Sequence, residues 1–453
     1  MHNRLVWMTV FLVVAVGALA TWSLTQGQVA SPRKNAPGNT RLGQTDFPAA
    51  SGADESPDGG SAPIPLIPAK DKKEKSNEAT ATSPLREQIL LSARRGGDWL
   101  FRMNAVDGQF LPGYNPALNT DLDGNHFMHQ AGAVFALARA AHLTGEDRYA
   151  ARATQAVVLL LSETKVDDKD SRVRYTSLPS ALLNRLGAAG ILVLAINALP
   201  APQKDLLEQS EQLCSFIRRQ ARSNGSLFCL DGQDEAPSTG KQGEAEAYAA
   251  AVALYGLALS QHHNPAAWKT DVLRRGCAFY TSTWKKQRNL LYASYLVAAF
   301  TEAYLQTKEK LFAHAVVEID DWLCGLQFDH LDPRHPDWWG GFMGFQDGKI
   351  VEQAPDITTA SIAECLEEGC RVAHQMGDPK RADRYTASAE LALQFVMRLQ
   401  YTQSNTRHFA DWYRTKLIGG FHASQQDGNL RIDYAQHAVS AMARYARGFE
   451  RSE

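Results

Sequence analysis

This 453-residue sequence has neither closely spaced cysteine pairs nor a large net charge. None of its six cysteines forms a Cys-x-x-Cys pair, which argues against a zinc site built from thiolates. The formal net charge is −2, so neither nucleic acid nor an anionic membrane surface is expected as a partner. The alternation of polar and apolar residues that is typical of strands nowhere persists beyond a few residues, which argues against a fold built on sheets.

A run without charges lies near the beginning of the sequence. Residues 5–24 are long enough to span a bilayer as a helix, and Arg4 precedes them. Residues 18–20 (Ala-Leu-Ala) have the form of a signal-peptide cleavage site, but the apolar run continues to Leu24, which favours an uncleaved anchor. We therefore expect residues 1–30 to be a membrane anchor or signal segment. Either one exports the rest, so a single-pass, membrane-anchored protein is expected, with its main domain outside the cytoplasm (periplasmic or extracellular).

The cysteines of an exported chain can form disulfides. Their wide spacing and apolar helical surroundings fit buried free thiols equally well. Cys365 and Cys370 lie five positions apart on a predicted helix, so their side chains point to different faces and are not expected to bridge.

The composition changes between the apolar run and the remainder of the chain. Residues 31–84 hold 8 of the 19 prolines and a single aromatic residue, Phe47. A segment of this kind cannot bury enough apolar surface to offset the conformational entropy lost on folding. The sequence therefore predicts a disordered tether over residues 31–84.

From residue 85 onward, apolar residues recur at spacings of three and four, which is the period of an α-helix. The predicted helices come in six pairs. The first helix of each pair is expected near residues 85–103, 146–163, 201–221, 264–285, 309–326 and 380–400. The second helix is expected near residues 125–143, 178–197, 243–261, 289–306, 356–376 and 431–448. First helices begin about every 59 residues, which predicts an internal repeat of helical hairpins.

Four of the six pairs share a related turn after the first helix. These turns are DGQF at 107–110, NGSLF at 224–228, GGF at 340–342 and GGF at 419–421. Glycine permits the positive φ that ends a helix, and the aromatic residue is expected to fill the turn. Six hairpins with such turns resemble the six-hairpin, or (α/α)6, toroid superfamily, which includes many glycoside hydrolases, some polysaccharide lyases and sugar epimerases. The resemblance implies an all-α (α/α)6 toroid over residues 85–453.

In such toroids the second helix of each hairpin lines the inside of the ring, so the resemblance implies that six helix starts surround one mouth. Ionisable residues near these starts are the catalytic candidates: Glu244, Asp356, Glu364, Asp433 and His437. A glycosidase requires a proton donor and a second carboxylate that acts as base or nucleophile. A lyase or an epimerase would instead use an imidazole or a phenol as base, which His129, Tyr295 or His437 could supply.

Seven residues are expected to bind or orient the substrate: Asn125, His129, Trp338, Trp339, Trp412, Tyr413 and Arg431. Flat aromatic surfaces pack against the C–H faces of sugar rings, so at least one of the four aromatic residues is expected to be exposed in the cleft.

Simpler interpretations exist for some of these residues. Acids in the first turn of a helix, such as Asp356 and Asp433, are favoured by the unpaired backbone N–H groups by roughly 0.3–1 kcal/mol. Glu244 and Glu246 are two positions apart and cannot share a helix face, so at most one of them faces inward.

No metal or other cofactor is predicted. The pairs His126/His129 and Asp433/His437 have spacings at which two side chains can hold one metal ion, but the sequence fixes no third ligand.

These observations indicate a membrane-tethered protein acting on a polysaccharide or an oligosaccharide outside the cytoplasm: a glycoside hydrolase, a lyase or an epimerase. The alternative is a non-catalytic envelope toroid that binds glycan or a protein partner. A terpenoid cyclase of the squalene type requires the string D-x-D-D, which is absent, and the cysteine and histidine runs of a lanthionine-cyclase zinc site are also missing.

Overall fold

Residues 83–179, 182–227, 240–346 and 348–448 are described by a computed structural model. The predicted anchor at residues 1–30, and the predicted tether except for its last two residues, lie outside the described residues. Within the described ranges, no helix combines the length and the apolar character needed to cross a membrane.

Six helical hairpins make up most of the described chain. Their first helices are α1 (Pro84–Met103), α3 (Asp147–Ser162), α5 (Lys204–Gln220), α7 (Ala267–Lys286), α9 (Lys310–Cys324) and α11 (Pro379–Arg398). Their second helices are α2 (Phe127–Thr144), α4 (Arg185–Asn197), α6 (Gly240–Ser260), α8 (Ala293–Thr307), α10 (Thr359–Met376) and α13 (Ile432–Gly448). One further helix, α12 (Asp411–Leu417), lies in the long connection of the last hairpin. The six predicted helix pairs are all present.

The second helices of the hairpins form an inner ring. Each of them packs against the next one along the chain, and α13 packs against α2 to close the ring. Every residue of α4 from Leu186 to Asn197 is buried, as expected of a helix that has neighbours on all sides. Only six residues of α3 are buried, which is the single apolar stripe of an outer helix.

Four hairpin turns repeat the same backbone geometry. Gly108, Gly225, Gly340 and Gly419 have φ angles of 95°, 93°, 86° and 94°. Each of them faces a backbone carbonyl of the next outer helix, namely those of Gln155, Arg275, Leu391 and Arg95. A side chain at these positions would meet both an unfavourable φ and a neighbouring backbone. The predicted role of glycine in these turns is therefore confirmed, and it also sets how closely adjacent hairpins pack.

A buried residue after each of these glycines pairs with the end of the outer helix. The bridges are Asn104–Phe110, Ala221–Leu227, Gln327–Phe342 and Gln400–Phe421. Three of the four contain the predicted phenylalanine. In the turn after α5 the paired residue is Leu227, so an aromatic side chain is not required there. Phe228 lies outside the described residues.

Among the described residues, seven short strands lie in the connections, where the sequence predicted only helices and loops. β1 (Gly113–Asn115) pairs with β2 (Thr120–Asp121) and with β7 (Leu430–Arg431), while β3 (Thr164–Asp167) pairs with β4 (Asp170–Thr176) and β5 (Gly344–Gln346) with β6 (Lys349–Val351). All of these pairings are antiparallel. Strands of two to seven residues are too short to show a clear alternation, which is why the sequence pattern missed them.

The pairing of β1 with β7 fixes the entrance to the ring. Tyr114 lies opposite Leu430, and the backbone N–H of Ile432 donates to the carbonyl of Pro112 at 3.1 Å. The first turn of α13 is thereby held beside the connection that leads into α2. These contacts place the beginnings of the two helices next to each other.

Five of the six cysteines are described, and all five are free thiols. Cys365 and Cys370 do not bridge, as predicted. Burial raises the pKa of Cys214 and of Cys277 to about 12, so both remain protonated and unreactive at neutral pH.

Replacing Gly419 with alanine tests the close approach at the turns. The added Cβ would lie 2.1 Å from the carbonyl oxygen of Arg95 at a φ of 94°, and we expect a loss of about 3 kcal/mol or more in the free energy of unfolding. Gly377→Ala is the matched control, because its φ is 69° and no atom lies within 4 Å, so about 1 kcal/mol is expected. Urea unfolding measures both values. Equal losses would show that φ alone requires glycine.

Candidate active site

Side chains from four inner helices meet inside the ring around one carboxylate. Glu364 of α10 accepts hydrogen bonds from Nη1 of Arg139 on α2 at 2.6 Å and from Nδ1 of His437 on α13 at 2.9 Å. The same guanidinium donates from Nη2 to the hydroxyl of Tyr255 on α6 at 2.7 Å. We call these four residues the Glu364 network. Its members are half-buried or buried, with side-chain exposures of 15% for Glu364 and 10% for Arg139.

The Glu364 network holds its acid in the ionised form. Burial raises the pKa of Glu364, but the hydrogen bond from His437 and the charge of Arg139 together outweigh burial, so its pKa is lowered. An ionised carboxylate only accepts hydrogen bonds, so the contact assigns the proton to Nδ1 of His437. In the neutral imidazole this leaves a lone pair on Nε2. Among the described residues nothing donates a hydrogen bond to that Nε2.

A second group lies at the beginning of α13, nearer the mouth. Both carboxylate oxygens of Asp433 accept from the guanidinium of Arg431, at 2.9 Å each. Nε2 of His129 lies 3.9 Å from Asp433, and its ring lies 4.3 Å from that of His126. Burial lowers the pKa of His129 to about 4 despite the nearby Asp433, so His129 is neutral at pH 7. The mouth therefore contains the neutral imidazole of His129 beside a paired acid.

Two tyrosines and an amide complete the inner wall. The hydroxyl of Tyr295 on α8 accepts from Nε2 of Gln436 at 3.0 Å. The ring of Tyr248 meets the ring of Tyr295 edge-on, with centroids 5.4 Å apart, and the ring of His437 lies 6.0 Å away. Tyr295, Gln436 and Glu364 border a narrow internal cavity of about 10 Å³.

A second ionic cluster adjoins the Glu364 network towards the C-terminal ends of the inner helices, and its Glu368 borders the same cavity. Glu302 of α8 contacts Arg371 at 2.9 Å and His262 at 2.8 Å. Glu368 contacts Arg371 at 2.5 Å and Arg444 at 2.7 Å. Burial raises the pKa of Glu302, but the bond from His262 and the charge of Arg371 lower it overall. These pairs connect α8, α10 and α13 below the site.

The structure brings three of the five catalytic candidates into these groups, namely Glu364, Asp433 and His437. Asp356 lies at the same mouth near Tyr434, whose pKa burial raises to about 12 with smaller contributions from Asp433 and Asp356. One of its oxygens accepts from the backbone N–H of Thr358 at 2.9 Å and from the hydroxyl of Thr358 at 2.5 Å. Asp356 therefore has the predicted capping contacts just before α10. Burial raises its pKa.

Glu244 is not part of either group. Its side chain is half-buried and accepts a hydrogen bond from Gln287, at the end of α7, at 3.4 Å. At the beginning of α6, one side of the helix faces the connection after α7 and another side faces the mouth. The spacing of residues in the sequence did not show on which side Glu244 lies. Among the described contacts, none joins Glu244 to Glu364 or Asp433.

The candidate sugar-binding aromatics differ in exposure. Trp412 is 65% exposed on α12. Trp338 is half-buried and stacks on His335 at 3.8 Å, while Trp339 is half-buried and its carbonyl accepts from Arg398 of α11.

Tyr413, also named as a binding candidate, is buried. Its hydroxyl donates to the carbonyl of Pro116, and its ring packs on Tyr114 and Phe409. Tyr413 thus anchors α12 against the β1 connection.

The remaining binding candidates, Asn125 and Arg431, lie at the mouth. Asn125 is exposed just before α2, and Arg431 is engaged by Asp433.

Sequence reasoning did not single out Arg139, Tyr255 or Gln436. The signal that could have found Arg139 is a permanently charged residue inside an otherwise apolar helix, FALARAAHL. The described residues contain no group of three or more histidine, cysteine, aspartate or glutamate side chains arranged to hold a metal ion.

Comparison with solved structures identifies the fold. The chain is similar to an unsaturated glucuronyl hydrolase specific for heparin, with a TM-score of 0.55 and 14% identity over 80% of this chain and 98% of that one. It is also similar to a D-mannose isomerase, with a TM-score of 0.56 and 12% identity over 81% and 98% of the two chains. A cellobiose 2-epimerase from Bacillus thermoamylovorans B4167 gives a TM-score of 0.57 and 9% identity over 80% and 100%.

The described chain therefore has the six-hairpin (α/α)6 toroid fold that its resemblance implied. No protein-family model matches the sequence, and comparison with curated protein sequences gives no match. At identities of 9–14% the similarity defines the fold and leaves the reaction to be argued from the site.

The low pKa of His129 predicts a pH dependence of stability. Between its folded pKa of about 4 and the unfolded value near 6.5, the unfolded chain binds a proton that the folded protein does not. Stability is therefore fully present above pH 6.5 and falls as the pH is lowered towards 4. His129→Gln should remove up to about 3 kcal/mol of this fall, measured by urea unfolding at pH 7 and pH 4.5. The exposed His330→Gln is the control, and an unchanged fall in the His129 variant would contradict the prediction.

Proposed function

We propose that this protein is a carbohydrate-active enzyme that transfers a proton on a sugar, as an epimerase or an isomerase does. The observation that carries the proposal is the hydrogen bond between Nδ1 of His437 and the ionised Glu364 at 2.9 Å. An imidazole oriented by a carboxylate presents its other nitrogen as a general base. Among the structures of similar fold are a D-mannose isomerase and a cellobiose 2-epimerase, which supports sugars as the substrate class.

The proposed reaction begins with an open-chain sugar whose carbonyl lies near the Glu364 network. Nε2 of His437 takes the proton from the carbon next to the carbonyl, and the electron pair of that C–H bond forms an enediolate. Glu364 stabilises the resulting imidazolium, as carboxylates do in other imidazole-dependent enzymes. If the enediolate turns over, return of the proton from Nε2 to its other face gives the epimer. Return of the proton to the adjacent carbon, with the hydroxyl proton of the sugar passing from O2 to O1, gives the isomer.

Hydrolysis of a glycosidic bond is less well supported by the same contacts. A glycosidase requires one carboxylic acid that keeps its proton near neutral pH. The pKa of Glu364 is lowered, and Asp433 is held by both nitrogens of the Arg431 fork. Of the three, only Asp356 has a raised pKa, and one of its oxygens is engaged by Thr358.

The alternative is a toroid that binds glycan, or a protein partner, without turnover. The internal cavity measures only about 10 Å³, no more than one water molecule needs, and this favours it, because a saccharide would then rest on the mouth instead of entering the ring. The exposed Trp412 fits such a surface.

Hydrogen exchange at carbon distinguishes these functions. The protein is incubated in D₂O with mannose and with cellobiose, and loss of the proton signal at C2 is followed by NMR. We expect exchange with at least one of these sugars or of a wider panel of reducing sugars. His437→Gln should reduce the rate at least 100-fold, because removing a general base typically costs 10²–10⁴-fold.

The control for this experiment is His330→Gln, which replaces an exposed histidine far from the network in the chain. Absence of exchange with every sugar, together with binding on a glycan array, would overturn the enzymatic proposal in favour of the binding toroid. Release of shorter saccharides without exchange would support a hydrolase instead.

We further propose that the toroid acts outside the cytoplasm, tethered to the membrane through residues 5–24. The length of this charge-free run supports the proposal. In cells that express the whole chain, we expect the full-length protein in the membrane fraction and digestion by protease added outside. Deletion of residues 1–30 should move it to the soluble fraction. A shortened soluble product of the whole chain would indicate a cleaved signal peptide, and protection from protease would contradict export.

A further inference from the structure

Tyr295 borders the internal cavity, yet the proposed proton transfer does not use it. Its side chain lies on α8 and is only 5% exposed. Its ring meets the ring of His437 at 6.0 Å in an edge-to-face arrangement, and Glu364 borders the same cavity. If the reacting C–H bond of a sugar faces His437, the neighbouring sugar oxygens therefore lie close to the hydroxyl of Tyr295.

Gln436 determines what the hydroxyl of Tyr295 can do. The amide Nε2 of Gln436 lies 3.0 Å from the phenol oxygen, and an amide nitrogen can only donate. The phenol oxygen is therefore the acceptor in this contact, and its own O–H remains available to donate elsewhere. The ring of Tyr248 lies edge-on beside Tyr295, with centroids 5.4 Å apart. A sugar oxygen that reaches the phenol can accept the proton of its O–H.

The orientation of Gln436 is in turn fixed by a glycine on the facing helix. A Cβ at Gly132 of α2 would lie 1.9 Å from Oε1 of Gln436, so the amide fits closely against backbone that has no side chain. Gln436 is 5% exposed, which leaves little room for another rotamer. The contact between α13 and α2 thus sets the direction of the hydrogen bond to Tyr295.

We propose that Tyr295 is a hydrogen-bond donor to the sugar oxygen on which negative charge develops, and that Gln436, held against Gly132, is its positioning residue. This inference rests on the proposed proton transfer. When His437 removes the proton from carbon, the carbonyl π electrons move onto oxygen, and the O–H of Tyr295 stabilises that oxygen. The phenol keeps its proton throughout, so no proton has to be supplied from elsewhere.

The environment of Tyr295 favours a donor over the base that the sequence suggested. Burial, together with the neighbouring Tyr248 and Glu364, raises the pKa of Tyr295 well above its usual value. A phenol in these surroundings stays protonated at neutral pH. The imidazole of His437 is then the base that takes the proton from carbon, and Tyr295 donates a hydrogen bond to the carbonyl oxygen.

Tyr295→Phe tests the inference through kinetics in the same D₂O exchange assay with mannose and cellobiose. A donor that acts on developing charge contributes mainly to the transition state, so kcat should fall 10- to 100-fold while KM changes less than threefold. Gln436→Met keeps the shape but removes the donor, and should lower kcat by roughly 3- to 10-fold. Gly132→Ala should lower kcat by a similar factor, because it displaces the amide.

Tyr304→Phe is the matched control, because Tyr304 is a buried tyrosine on the same helix that belongs to neither polar group. Its kcat should stay within twofold of the wild-type value. If the wild-type protein exchanges and both Tyr295→Phe and Gln436→Met keep kcat within twofold, the donor role is wrong while the proposed function stands. If Tyr295→Phe does not fold, an unchanged kcat in Gln436→Met alone overturns the positioning role. If the wild-type protein exchanges no sugar, the proposed function and this inference fall together.

Discussion

The buried charge of Glu364 is stabilised by partners from two other inner helices, so the site exists only where those helices meet. Moving a carboxylate out of water costs several kcal/mol, which is offset only when its oxygens are paired and hydrogen-bonded. Arg139 supplies the opposite charge from α2, and His437 supplies the second hydrogen bond from α13. These partners are 225 residues before and 73 residues after Glu364. The network therefore forms only when the last inner helix packs against the first, so that closing the ring and assembling the site are one event.

Charge balance along the ring axis explains why so many ionisable groups are tolerated inside. Both carboxylates of the lower cluster share Arg371 and Arg444. Two acids, Asp320 and Glu367, lie outside this arrangement. Neither oxygen of Asp320 has a hydrogen-bond partner among the described residues, and burial raises its pKa well above the usual value. Burial likewise raises the pKa of Glu367 to about 8. Acids of the interior are thus either paired and charged, or unpaired and neutral, as the cost of an isolated buried charge requires.

Local sequence signals predicted the hairpins, because each one is contained within a few turns of chain. The 3.6-residue period and the glycine turns are of this kind, and both are found where expected. The inward direction of a side chain is not a local property. Glu244 and Glu364 both lie near the beginning of an inner helix, yet one bonds to Gln287 on α7 while the other reaches the axis. Arg139 and Gln436 acquire their roles from helices that are remote in sequence, which a single-chain pattern does not reveal.

The acids at the helix starts show that capping and site chemistry need not exclude each other. Asp356 accepts hydrogen bonds from Thr358, and the charge of Asp433 is matched by the Arg431 fork before any ligand enters. Two histidine side chains lie beside these acids. His129 is neutral because of burial, and one ring nitrogen of His437 is bonded to Glu364. Paired carboxylates hold and orient, whereas an imidazole with an available lone pair can accept a proton. This arrangement supports the proposed transfer of protons on carbon.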